Sequence, residues 1–178
     1  VFAAGGEYGS GATHGAVYDP VANTWTATGA VPSNQNIYDG NSQILANGKV
    51  LVGIQNGLNP SFNNALYNPS TNTWATAPNS PQNHDEAAWL KLPDGSILFV
   101  GINSTNSCRY IPATNTWVAD ATCPVNLYDP YGEEAGAAIM LPNGKAIFFG
   151  STGHNAIYTP SGTTSPGTWS VAANFPIT

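Results

Sequence analysis

The chain has 178 residues, 42% of them hydrophobic, enough for a domain with a real core. Only 8% are Asp, Glu, Lys or Arg, against about 25% in an average soluble protein. Ten acids stand against four scattered bases, so the chain lacks the clustered cations that release counterions from nucleic acid, and no apolar run of about 18 residues offers a membrane span.

Asn, Ser, Thr, Gly and Pro supply the polarity instead. That balance suits a β-rich fold with many turns and an uncharged outer surface. It leads us to expect an extracellular or cell-surface protein.

Read in chain order, Val1 to Ala4 is a strand ending at Gly5-Gly6. A loop from Glu7 to Gly15 leads into Tyr18-x-Pro20, followed by Asn23-Thr24-Trp25. Pro and Asn-Thr make a turn, with Tyr and Trp anchoring the two flanking strands. Next comes Ile44 to Gly53, with Asn47-Gly48 between apolar runs. Asn-Gly in that setting predicts a type I′ hairpin, whose central residues both need positive φ.

The two patterns then alternate. Tyr67-x-Pro69 with Trp74 is followed by the Asp94-Gly95 hairpin, then Tyr110-x-Pro112 with Trp117, then the Asn143-Gly144 hairpin, then Tyr158-x-Pro160 with Trp169. The four tyrosines recur at intervals of 49, 43 and 48 residues. In the first three repeats Trp follows Tyr by seven residues; in the fourth an insertion of four widens the gap to eleven.

Each repeat is thus four short antiparallel strands, a to d. Such a unit cannot bury both faces alone and stacks on its neighbours. The predicted fold is an all-β propeller of about four blades, approximately 1–34, 35–82, 83–126 and 127–178. The first blade lacks its innermost strand. An uncovered sheet edge is an aggregation hazard, so the segment is expected to belong to a ring of six to eight blades. The missing blades would come from the same polypeptide or from a second copy.

The Tyr18-Asp19-Pro20 and Asn23-Thr24-Trp25 motif, preceded by Gly5-Gly6, resembles the kelch repeat, and the likeness covers essentially the whole chain. It is similar to secreted bacterial kelch-repeat proteins of unassigned function. The later blades have Gly53-Ile54, Gly101-Ile102 and Gly150-Ser151 where the first has Gly-Gly. The family shares its blades with the central domain of galactose oxidase. That relation implies copper held by Tyr and His ligands with a Cys–Tyr crosslink. No Tyr-His pair here matches those ligands, and Cys108 neighbours Tyr110 only because Tyr110 is the repeat tyrosine. Copper is therefore not expected within this segment.

In propellers the d–a and b–c connections lie on one face, where loops on a rigid scaffold carry function. Acids recur there, just before strand a. Asp39 aligns with Glu86, and Asp85 with Glu134, with Glu133 adjacent. Asp39, Asp85, Glu86, Glu133 and Glu134 are the candidate ligand-binding residues. Asp39, Asp85, Glu86 and Glu134 are the set that would take a Ca²⁺ ion, which prefers six to eight oxygens. The competing reading is that they satisfy buried strand ends. Trp89 joins the candidates because an aromatic beside carboxylates suits sugar recognition, with core packing as its alternative.

His14, His84 and His154 lack zinc-ligand spacing. Asn103-Ser104-Thr105 is a glycosylation sequon. Cys108 and Cys123 are expected to form a disulfide closing a loop of roughly 15 residues, worth about 3 kcal/mol. If Tyr110 pairs with Trp117, Cys108 faces Ala119, and the chain must fold back to bring the sulfurs together. The alternative is a pair of buried free thiols.

No nucleophile elbow, phosphate loop or dinucleotide fingerprint is present. The residues predict no cofactor apart from the Ca²⁺ the acids would suit. The expected role is a secreted binding or scaffold module for a glycan, cation or protein. The alternative is a non-catalytic portion of a galactose-oxidase-like extracellular oxidase.

Overall fold

The computed structural model describes residues 1–6, 12–55, 61–131 and 134–176. Among them are seventeen strands in antiparallel sheets and one 3-10 turn, with no α-helix. No helix is long and apolar enough to cross a membrane. The chain divides into two compact units, Val1–Asn79 and Ser80–Thr178.

The first unit holds two blades. One is three-stranded, in the order β1 (Phe2–Ala4), β2 (Gly15–Asp19), β3 (Thr24–Ala27). The other is four-stranded, in the order β4 (Ser42–Ile44), β5 (Val50–Ile54), β6 (Asn63–Asn68), β7 (Thr73–Ala77). The second unit holds β8 (Leu90–Lys91), β9 (Ile97–Val100), β10 (Ser107–Ile111) and β11 (Thr116–Ala119) as one blade. A short ladder of β12 (Tyr128–Asp129) and β13 (Glu134–Ala135) follows, unforeseen from the sequence. The last blade runs β14 (Ala138–Met140), β15 (Ala146–Phe149), β16 (Asn155–Thr159), β17 (Thr168–Ala172).

Burial falls from the second strand outwards. All five residues of β5 and all four of β9 are buried, the continuous apolar run of a strand covered on both faces. The outer strands β7 and β17 are largely exposed. In the first unit Val50, Val52, Ile54, Ala65 and Tyr67 form a core against Phe2, Ala4 and Val17. In the second, Leu92, Leu98 and Val100 pack against Phe148, Ala156 and Tyr158. Each fully buried Val, Leu, Ile or Phe contributes about 1.5–3 kcal/mol, so blade stacking is the main source of cohesion.

The repeat tyrosine and tryptophan are direct cross-strand partners: Tyr18 with Trp25, Tyr67 with Trp74, Tyr110 with Trp117 and Tyr158 with Trp169. Their rings lie 4.9–5.4 Å apart, a separation at which aromatic pairs add stability beyond buried area. The repeat asparagine makes the turn between them. Asn23, Asn72 and Asn115 have φ of 53°, 53° and 52°, the left-handed region that asparagine tolerates. Each also accepts the hydroxyl of its own repeat tyrosine, at 2.9, 2.9 and 2.7 Å.

The a–b hairpins differ from the predicted type I′ turn. Gly48, Gly95 and Gly144 have φ of 79°, 84° and 79°, whereas Asn47, Asp94 and Asn143 are not left-handed. Gly48, Gly95 and Gly144 donate to Leu45, Leu92 and Leu141, whose own amides donate to Lys49, Ser96 and Lys145. This is a type I turn closed by a glycine bulge, the next commonest hairpin solution. The Asn or Asp side chain accepts the amide two residues on, at 3.1, 2.9 and 3.1 Å, which explains its recurrence.

The predicted disulfide is not formed; both cysteines are buried free thiols. Cys108 pairs with Phe99 and Ala119 in the ladder, sharing their face. Cys123 packs with Leu98 and Val100, whose side chains alternate to the other face from Phe99. Burial raises both thiol pKa values, with the Asp120 charge adding to the effect at Cys108. Neither thiol is poised as a nucleophile.

One buried polar cluster stitches the second unit together. Arg109 is fully buried and bonds Asp120 at 2.5 Å and Asp94 at 3.3 Å. Its remaining donors reach the carbonyls of Thr163, Thr164 and Ser165 at 3.2, 3.0 and 2.6 Å. Those carbonyls lie in the insertion that lengthens the fourth repeat. Asp120 also accepts the Tyr158 hydroxyl at 3.0 Å and the Gly167 amide at 3.2 Å. A buried guanidinium is tolerable when its charge and donors are met in this way.

Candidate functional site at the first-strand ends

The acids before strand a are presented by tight turns. In the second unit Ala87 N–H donates to His84 O at 3.2 Å, closing a turn over Asp85 and Glu86. Glu86 has φ of 54°, an uncommon backbone state for a residue with a side chain. Its carbonyl accepts the Ala135 amide at 3.4 Å. The start of the third blade is thereby tied to β13, where Glu134 is exposed. Asp85 is half-buried, its amide donating to Asn83 at 3.2 Å.

In the first unit the corresponding turn runs from Ile37 to Gly40, closed at 3.1 Å. Its left-handed residue is Tyr38, with φ of 47°, so aligned acids sit on turns of different shape. Asp39 is half-buried in that turn. Gly40 and Gly136 follow the aligned positions Asp39 and Ala135. A Cβ at Gly40 would collide with the carbonyl oxygen of Gly53, and one at Gly136 with that of Phe149. The chain enters strand a too close to strand b for any side chain there. Glu133 lies outside the described residues, as do parts of the loops from Glu7 to Gly15 and from Gln55 to Asn64.

Four other acids have structural work. Asp19 caps the amides of Val21 and Ala22, and Asp129 accepts the Tyr131 amide at 2.9 Å. Asp94 and Asp120 hold Arg109. A small cleft of about 10 Å³, room for about one water, lies beside Ala135 in the second unit, lined also by Ala88, Gly101, Ile102, Tyr128 and Gly136. That is far below the roughly 300–1,000 Å³ of a small-molecule pocket.

Trp89 is corrected from a sugar platform to a core residue. It is 5% exposed and stacks on Phe99 at 5.8 Å, with His84 and Trp117 edge-on at 5.6 Å each. No ring face remains for a ligand. His84 is fully buried in the same aromatic group, whereas His14 and His154 are exposed. Asn103 is exposed on the turn from Gly101 to Ser104, with φ of 57°. Sequence reasoning passed over Arg109 and its acids. Two signals point to them: Arg109 stands where the other repeats have Val17, Leu66 and Ile157, and the fourth repeat alone is lengthened.

No protein-family model matches the chain, and no curated protein matches it. Among solved structures 130 chains are similar. One is a fungal alcohol oxidase of the AA5 family in complex with copper. It superposes with a TM-score of 0.71 at 16% identity over 94% of this chain. The chain spans only 36% of that enzyme's length. At that identity the likeness carries the fold.

Copper does not fit the residues described. Among them no group of three His, Cys or carboxylate ligands includes a histidine, and His84 is sealed between aromatic rings.

Proposed function

We propose that this chain is part of a kelch-type propeller that acts outside the cell as a binding or scaffold module. Its ligand is a cation, an uncharged glycan or a protein, taken at the loop end through the acids that precede strand a. The observation that carries the reading is the placing of Asp85 and Glu86 on a left-handed turn bonded to the β13 main chain, next to Glu134. Hard oxygen ligands of that kind suit Ca²⁺. The low count of Lys and Arg keeps competing cations away. Glycan attached at Asn103 belongs to the same reading, since that residue is exposed on a turn.

The test is thermal unfolding with and without calcium, on the intact chain and on Asp85→Ala/Glu86→Ala. A ligand at a hundredfold excess over Kd stabilises by about 2.7 kcal/mol, raising Tm by roughly 5–10 °C for a domain of this size. We expect that rise in the parent and its loss in the double variant. A rise that survives the substitutions removes the acids from the site.

The second reading is a non-catalytic portion of a galactose-oxidase-like oxidase. It is favoured by the superposition on the AA5 enzyme over 94% of the chain. In that case the copper ligands are supplied by residues outside this segment.

A further inference from the structure

The added length of the fourth repeat forms residues 161–167, Ser-Gly-Thr-Thr-Ser-Pro-Gly. They lie beyond the Thr159–Thr168 pair that ends the β16–β17 ladder. This segment makes its own shape. Ser161 Oγ donates to Ser165 O at 2.6 Å and accepts the Thr163 amide at 3.2 Å. The Ser165 amide donates to Thr163 Oγ1 at 3.1 Å.

Its hold on the rest of the chain is of another kind. Residues 161–166 are all exposed, so the apolar burial that holds the blades contributes little to keeping them in place. Among the described residues, its hydrogen bonds to the rest of the chain end on three side chains. Arg109 takes the carbonyls of Thr163, Thr164 and Ser165. A planar guanidinium, with its donors in a fixed fork, can serve several acceptors at once in a way that an ammonium cannot. The Gly167 amide donates to Asp120 Oδ1 at 3.2 Å and to the Tyr158 hydroxyl at 3.0 Å. Gly167 is buried, and a Cβ there would collide with the Tyr158 hydroxyl. Ordering the segment costs conformational entropy, and polar bonds are what offset it. Segments held in that way open locally while a core stays folded.

We propose that residues 161–167 are a strap latched on the third blade by Arg109, and that the strap opens as a unit without unfolding of either blade. Opening frees Arg109 Nη2, while Nε stays on Asp120 and Nη1 on Asp94. The guanidinium charge is still met with the strap away, which keeps the open state accessible. The strap lies at the end of the fourth blade opposite the start of its strand a. The device is thus separate from the acids proposed to take a ligand.

Amide hydrogen exchange by NMR tests this on the full chain in rising, sub-denaturing urea. Gly167 reads the strap and Leu98, fully buried in β9, reads the blade. We expect urea to leave the Gly167 rate unchanged and to raise that of Leu98. Arg109→Lys keeps a charge for Asp120 but lacks the fork. In it Gly167 should exchange roughly tenfold faster or more, relative to Leu98. Ser161→Ala, at an exposed side chain, should also speed Gly167 and leave Leu98 as in the parent. Equal urea dependence at Gly167 and Leu98 overturns the proposal, because strap and blade would then open together. So does a Gly167 rate that Arg109→Lys leaves unchanged. Should that variant not fold, the urea dependence and Ser161→Ala decide.

Discussion

Arg109 shows how a single residue can depend on changes elsewhere in a repeat array. The other blades put Val17, Leu66 or Ile157 at its position and have Thr28, Ala77 or Ala172 where the third has Asp120. An isolated buried guanidinium would be untenable, and here two carboxylates and three carbonyls meet it. Replacing Arg109 by Leu strands the buried Asp120 charge and should cost about 3–5 kcal/mol in urea unfolding. Arg109→Leu/Asp120→Ala, which makes the third repeat like the second, should cost less than the single change. A double variant that loses the sum of the two single losses would show that the pair is not coupled. Tyr158, whose pKa is raised by burial and by Asp120, belongs to the same network.

At the scale of the element, the Tyr–Asn–Trp hairpin is the unit that the sequence repeats. Asn72 has two jobs, tolerating φ of 53° and accepting the Tyr67 hydroxyl, and its amide also reaches Ala27 O at 3.3 Å. Asn72→Ala loses both and should cost about 2 kcal/mol. Asn72→Gly keeps the backbone freedom and should cost about 1 kcal/mol. Equal losses from the two, measured by urea denaturation, would mean that the turn conformation contributes nothing. The fourth repeat lacks this asparagine, and Tyr158 turns instead to Asp120 of the preceding blade.

The elements were legible because their signals are local. Tyr-x-Pro, Asn-Thr-Trp and Asn-Gly each specify a turn through one or two residues, and repetition removes ambiguity. The turn type was misjudged because Asn-Gly serves a type I turn with a glycine bulge as well as type I′, and the choice lies in the backbone path. The disulfide and Trp89 were misplaced for a different reason. Which face of a strand a residue occupies depends on register, which sets Cys108 and Cys123 apart, and Trp89, close to the acids in sequence, is taken up by packing on Phe99 and Trp117. The acids before strand a were found by repeat alignment, whereas their differing turns, set by φ at Tyr38 and Glu86, were not readable.

At the scale of the whole molecule, repeat positions and the buried Arg109 cluster form the framework. Aromatic pairs, glycine bulges and the Arg109 cluster hold the blades; the cluster takes Asp94 and Asp120, while Asp19 and Asp129 cap turn amides. The acids at the strand-a turns are the ones we propose as ligands, and Asp85→Ala/Glu86→Ala tests them. The central proposal is that this segment binds a ligand and does not itself carry an oxidase centre, although it superposes on part of a copper alcohol oxidase. The most direct measurement is a copper titration of the chain followed by electron paramagnetic resonance, with alcohol and sugar oxidation assayed on the same sample. The account predicts no stoichiometric copper signal with nitrogen ligands and no turnover. One tightly bound equivalent that oxidises an alcohol would contradict it.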